Sequence, residues 1–210
     1  MKIAVVGATG ATGRSVLTRA LAQGHAVTAV ARHPEQLSSA ERLTLVRGDV
    51  LSPGGLTGAF DNMDVVISCI GPKRNISPGT LMSVGVANIL AECKRANVRR
   101  FVMQSGIGLS DGHELSTVNR IVIRASGRVF AAAVSDKAAA ERMTQQCDME
   151  WIIVRPVVLA DKPAKERYTA GPFAAVAALS PLSFGDCADC LCRAAIDEPT
   201  WIGKIVNVGS

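Results

Sequence analysis

A doubly wound α/β fold, a mostly parallel sheet with helices on both faces, is what this sequence predicts. Two observations carry it: short apolar runs alternate with amphipathic helical patterns, and the Val/Ile-rich runs are nearly continuous, as in strands covered on both faces. The 210 residues, 48% hydrophobic, suffice for one core. No repeat, low-complexity stretch or linker divides them, so residues 1–210 read as a single domain with a small lobe on one side.

The elements justify themselves in order. Residues 2–7 (KIAVVG) form a short apolar run closed by glycine, and residues 12–24 (TGRSVLTRALAQG) carry Val16, Leu17, Ala20 and Leu21 at helical spacing before stopping at Gly24. Further strands are expected at 25–32 (HAVTAVAR), 43–49 (LTLVRGD), 63–71 (MDVVISCIG), 99–106 (RRFVMQSG), 150–156 (EWIIVRP) and 204–209 (KIVNVG), with helical patterns between most of them. Parallel strands need crossovers of about a dozen residues, which those helices supply. Residues 105–128 and 161–183 are the least regular, and the stretches 106–126 and 161–183 are expected to cover the open, substrate side of the sheet.

Composition excludes several functions. No apolar run reaches the ~20 residues of a membrane span, and the opening MKIAVVGATG lacks a signal peptide's apolar centre and cleavage site, so a cytoplasmic location is expected. The formal charge of +5 suits an anionic ligand, but no Lys/Arg run exceeds two and aromatics are 4% of residues, which leaves nucleic acid without a stacking platform. The six cysteines read as buried free thiols. The CxxC within CADCLC opens a helix with Asp186 as its expected N-cap, and no second pair or nearby His completes a metal site. His25, His33 and His113 have no triad or metal spacing; His33, beside Arg32, is placed either at the 2′-phosphate or adenosine or on the surface.

One motif carries chemistry. In VVGATGATGRSV, Gly7, Gly10 and Gly13 follow a strand and open a helix, with Ala8, Thr9, Ala11 and Thr12 between them. That is a dinucleotide-binding arrangement: one glycine for the turn, one for approach of the pyrophosphate, one for close helix–strand packing. The phosphates would sit on free N–H groups at the helix N-terminus. The second strand ends in Arg32 where an NAD site usually has Asp or Glu, and an arginine fork matches a phosphate, so NADP is expected, with NADPH preferred over NADH. Asp49, followed by Val50, ends the third strand in position to accept from an adenine amino group.

The stretches GATGATG, AVARHPEQL, VRGDVLSP, DVVISCIGPKRNISPGTLMSVGVANILAECKRANVRRFVMQS and WIIVRPVVL resemble the atypical short-chain dehydrogenase/reductases, and within them the flavin reductase/biliverdin-IXβ reductase and NmrA-like group. The resemblance spans essentially the whole chain. It implies a Rossmann-type sheet in the order 3-2-1-4-5-6-7, a nicotinamide cofactor along the C-terminal strand ends, and hydride delivery to a flat conjugated acceptor such as a flavin, quinone or linear tetrapyrrole. Typical members carry Tyr-x-x-x-Lys. Here Lys137 stands in place, but the tyrosine position is Ala133, and the histidine of the flavin reductases corresponds to Val158. Ser105 matches the family's active-site serine.

In such a sheet the ligand lies beyond the C-terminal strand ends. The expected site therefore combines Cys69, Ile70 and Gly71 after the fourth strand, Ser105 after the fifth, and Pro156 and Val157 after the sixth, the last two pressing one ring face. Lys73, Arg74, Lys162, Lys165 and Arg167 would make its rim positive, which suits an anionic acceptor. A missing acid is serious for ketone reduction and less so for an acceptor that spreads its charge, so a reductase of conjugated acceptors is expected. The alternative is a non-catalytic NAD(P)-sensing regulator that binds a partner protein.

Overall fold

The computed structural model describes residues 1–72, 79–110 and 131–210, the side chains of 131–133 excepted. β1 (Lys2–Val6) sends Ile3 and Val5 into one core and Ala4 and Val6 into a second. Both faces are covered, which explains the unbroken apolar run. The remaining strands are β2 (Ala26–Ala31), β3 (Leu43–Arg47), β4 (Val65–Ser68), β5 (Arg100–Gln104), β6 (Glu150–Pro156), β7 (Leu159–Ala160), β8 (Thr169–Pro172), β9 (Leu182–Ser183) and β10 (Lys204–Gly209).

The main sheet runs β3-β2-β1-β4-β5-β6-β10-β8. Its first seven strands are parallel and follow the expected order, β10 being the seventh strand read from the sequence. β8 is a correction to that reading. It lies in the 161–183 segment taken as irregular, and pairs antiparallel with β10 from Val206↔Pro172 to Gly209↔Thr169. TAGP has no alternating pattern of its own; pairing with β10 makes it a strand. β7 and β9 form a separate two-residue parallel ladder.

α1 (Ala11–Ala22) packs with α4 (Phe184–Ile196) on one face of the sheet, and α2 (Leu81–Arg95) packs with α3 (Ala131–Gln145) on the other. The second expectation to be corrected is the start of α4. Its N-cap is Ser183, whose Oγ accepts from the Asp186 N–H at 2.9 Å, while Asp186 is the third helical residue and receives the Ser183 hydroxyl at 2.7 Å. The pair differs from a capping box in that the Asp186 carboxylate takes the Ser183 hydroxyl, where a capping box takes the N-cap backbone N–H. Asp186 also accepts from the backbone of Lys165 and Glu166 at 3.1 and 2.9 Å, tying the 161–183 segment to the helix start.

Candidate functional site

The three glycines of the β1–α1 turn meet three different constraints. Gly7 has φ +79°, a left-handed conformation that costs an L residue about 1–2 kcal/mol. Gly13 has no such strain, but a Cβ there would lie 2.3 Å from the Gly7 carbonyl oxygen. Helix and turn touch because that atom is absent. Gly10 is neither strained nor crowded: its φ is −72°, and a Cβ would meet only the Gly7 oxygen at 3.3 Å. The missing side chain at Gly10 leaves an open approach to the start of α1.

That helix start has no side-chain cap. The first bond of α1 runs from the Arg14 N–H to the Gly10 oxygen, so Ala11, Thr12 and Gly13 have N–H groups with no carbonyl one turn back. Gly10 offers no cap and the first turn holds no acid. At α2, by contrast, Asp136 reaches across from α3 and takes the N–H groups of Met82 and Ser83, both at 2.9 Å. With α2 capped by a carboxylate and α4 by the Ser183 hydroxyl, α1 offers an anion its free donors and positive dipole end.

Gly7, Thr9 and Gly10 form one wall of a cleft above the C-terminal strand ends. Cys69, Ile70 and Gly71 form the facing wall, and Arg32, Asp49 and Val50 close it at the β2–β3 end. Ala8, Thr12 and Gly13 are buried behind the loop and Ala11 is exposed on the first turn. Arg32 is exposed, and no hydrogen bond or ion pair holds it among the described residues. Its neighbours are engaged: Arg47 pairs with Glu35 at 3.2 Å, and His33 with the same carboxylate at 3.0 Å. Asp49 accepts from the Leu51 N–H at 3.0 Å and the Ser52 hydroxyl at 3.3 Å, which fixes its carboxylate at the cleft. Arg14 donates to the carbonyls of Thr9 and Gln36, each at 3.1 Å, and so ties the glycine turn to the loop after β2.

Ser105, one residue beyond β5, is 6% exposed. Its N–H donates to the Val154 oxygen at 2.7 Å, and its hydroxyl donates to Glu141 Oε1 at 2.5 Å. Glu141 in turn is gripped by Arg155 through Nε at 3.0 Å and Nη2 at 2.6 Å. Lys137, one turn before Glu141 on α3, brings its Nζ within 3.2 Å of the Cβ position of Gly106. Burial lowers its pKa below the usual lysine value, and the Glu141 carboxylate opposes that shift. Ser105 and Lys137 thus both reach the end of β5, the lysine at Gly106, while Glu141 and Arg155 were missed. The Lys137/Glu141 spacing of four and the arginine that follows the apolar run in EWIIVRP were the available signals.

Other expected groups fall elsewhere. Val157 is 3% exposed and packs against Val176 and Gly209, so it serves the core; Pro156 ends β6 and is also buried. Val158, in contrast, is 53% exposed. Tyr168, the chain's single tyrosine, points into α4: its hydroxyl donates to Asp189 and accepts from Arg193 at 3.3 Å. Burial and that carboxylate raise its pKa, so it is no acid for the strand ends. Lys162 is bound to the Pro181 carbonyl, whereas Lys165 and Arg167 have exposed side chains. Lys73, Arg74, His113 and the stretch 111–126 lie outside the described residues, as does the side chain at Ala133. Cys187, Cys190 and Cys192 are buried free thiols on α4, and burial pushes Cys192 up to about 12 and Cys69 higher still.

A glycine turn feeding an uncapped helix, beside an unpaired arginine at the end of β2, agrees with what comparison finds. A family model described as NAD(P)H-binding matches residues 7–198. The chain belongs to that NAD(P)H-binding family. The chloroplastic protein At2g34460 of Arabidopsis thaliana is 29% identical over 174 residues, 77% of this chain and 60% of the relative, so the chain spans less than two thirds of that relative's length. A short-chain dehydrogenase/reductase of Veillonella parvula, solved in complex with NADP, superposes with a TM-score of 0.80 at 22% identity, covering 100% of this chain and 94% of the other. ChuY, an anaerobillin reductase of Escherichia coli O157:H7, does so with a TM-score of 0.79 at 20% identity, covering 99% and 96%. At these identities the two structures show the fold, and it is the Rossmann-type doubly wound sheet. The expected NAD(P)-binding family and the expected Rossmann-type fold are both met. Among the described residues no helix is long and apolar enough to cross a membrane.

Proposed function

We propose that this protein is an NADPH-dependent reductase that delivers hydride to a conjugated acceptor of flavin, quinone or linear tetrapyrrole type. The observation that carries the cofactor half is the unpaired Arg32 guanidinium on the same cleft as the uncapped N-terminus of α1. The N–H groups of Ala11, Thr12 and Gly13 suit a pyrophosphate, with Gly10 giving it room, and Arg32 suits a 2′-phosphate as a charged fork. Asp49 would take the adenine amino group, and Val50, Cys69, Ile70 and Gly71 line the remaining path toward Ser105 and Lys137. When bound, a reduced nicotinamide dinucleotide supplies one hydride. One proton completes the two-electron reduction of the acceptor, and Lys137, beside Gly106, is placed to hold that proton or the developing charge.

Loss of the phenol at Ala133 favours acceptors that delocalise the charge, because the apolar Val158 and inward-facing Tyr168 supply no replacement acid. The six cysteines, all free thiols, accord with a reducing cytoplasm. A second reading, a non-catalytic NAD(P) sensor with a protein partner, is favoured by one observation: the Ser105 proton is directed inward at Glu141. Purified protein with NADPH or NADH and a panel of flavin, quinone, dichlorophenolindophenol and biliverdin decides between them. Turnover with NADPH preference supports the reductase. Tight NADP binding with no oxidation of NADPH by any acceptor supports the sensor.

A further inference from the structure

The polarity of the β5 end follows from a proton count. Glu141, 3% exposed, receives both Arg155 donors in fork geometry and the Ser105 hydroxyl on the same carboxylate. A serine hydroxyl has one proton, and a carboxylate in an ion pair has none to return. Ser105 therefore shows only lone pairs to a ligand at the strand end. At the following residue the Lys137 ammonium, 3.2 Å from where a Cβ on Gly106 would lie, can only donate. An acceptor at Ser105 and a donor at Gly106 thus serve consecutive residues at the end of β5.

We propose that Ser105 and Lys137 read the NH–CO edge of a conjugated imide or lactam, the N–H meeting Ser105 Oγ and the carbonyl meeting Lys137 Nζ, with Glu141 as the positioning residue that sets this polarity. A quinone or ketone offers oxygen acceptors alone. Set against Ser105, such an oxygen faces lone pairs and finds no proton. The imide edge of an isoalloxazine supplies the matching pair, as does the terminal lactam of a linear tetrapyrrole. The inference rests on reading this edge as the substrate face of the proposed reductase, and adds to it a reason for preferring nitrogen heterocycles to quinones.

The test compares riboflavin with riboflavin methylated at its imide nitrogen, binding to the NADP-saturated protein and followed by quenching of flavin fluorescence. The wild-type protein should bind riboflavin at least about tenfold more tightly, since a site built around an N–H rejects the analogue lacking it. In Ser105→Ala the two flavins should bind alike, a ratio that a purely structural role for the serine would not change. Glu141→Gln should weaken the preference by freeing the hydroxyl to turn outward; because it also leaves Arg155 without its carboxylate and can unfold, Ser105→Ala carries the result, with thermal melting as the check on folding. Equal binding by the wild type, a preference that survives in Ser105→Ala, or no binding of either flavin overturns the inference. NADPH oxidation is measured in parallel with riboflavin and menadione. A binding preference without oxidation upholds the recognition and removes the reductase reading, so the two failures are distinguishable.

Discussion

Gly10 and Gly13 sit three residues apart in one turn, yet adding the same methyl group to each should fail in different ways. At Gly13 the new carbon would lie 2.3 Å from the Gly7 oxygen and 2.9 Å from Ala8 Cα, both backbone atoms that cannot rotate aside. Relief requires β1 and α1 to separate by most of an ångström, an overpacking that costs about 1–3 kcal/mol. For a chain of this size that is roughly 2–12 °C in Tm. At Gly10 the methyl meets one oxygen at 3.3 Å and otherwise enters the cleft. The stability change there is chiefly the poorer N-cap, about 1 kcal/mol or less. Differential scanning fluorimetry without ligand and calorimetric titration with NADP separate the two effects. Gly13→Ala should lower Tm by the larger amount, and Gly10→Ala should keep most of its Tm while losing about tenfold or more in NADP affinity. A reversed Tm order would refute the packing argument, and undiminished NADP affinity in Gly10→Ala would remove the phosphate-loop assignment.

Arg32→Asp should weaken NADPH by about 10- to 100-fold and leave NADH level or improved, because a charge-assisted contact is lost and a repulsion added; equal loss for both cofactors would mean a general field rather than a specific contact. Arg155→Met should cost about 3–5 kcal/mol by leaving the Glu141 carboxylate buried and unpaired, visible as a fall in Tm that the double substitution with Glu141→Leu largely restores. Burial holds the Lys137 pKa in the folded protein below the usual lysine value, so between the folded and unfolded pKa the unfolded chain binds the extra proton and stability rises with pH. Lys137→Met should flatten that alkaline rise in a pH series of melting curves, and an unchanged slope would contradict burial of the ammonium. Cys187, Cys190 and Cys192 should react with a thiol reagent only as the protein unfolds, since burial keeps them protonated; fast native labelling at these positions would show α4 to be more open than described.

The sequence carried the seven parallel strands because each has local apolar patterning that burial on both faces demands. It carried the glycine turn because three separate steric needs leave the same residue three times. β8 was not legible, since TAGP becomes a strand only through β10, which lies more than thirty residues further on. Asp186 looked like an N-cap because it is the acid nearest the helix start, whereas the cap is set by backbone geometry, and Ser183 has the extended φ and ψ of −70° and 154°. Glu141 sits in an alanine-rich helix and reads there as a solvated charge. Only the convergence of α3, β5 and β6 buries it, and that is a property of the fold and not of its neighbours in the chain.

The position of β10 has a consequence for how the molecule is made. β10 is the last strand in the sequence but lies inside the sheet, between β6 and β8. During synthesis the segment from Ala160 onward leaves the ribosome with no partner for β8, and the outer edge of β6 stays open, until Lys204–Gly209 has emerged. The half of the sheet that carries the glycine turn can form while the half that holds β8 waits. A nascent chain stalled just before Lys204 should therefore resist protease through β5 and be cut within 161–183, and release past Gly209 should protect that segment in one step.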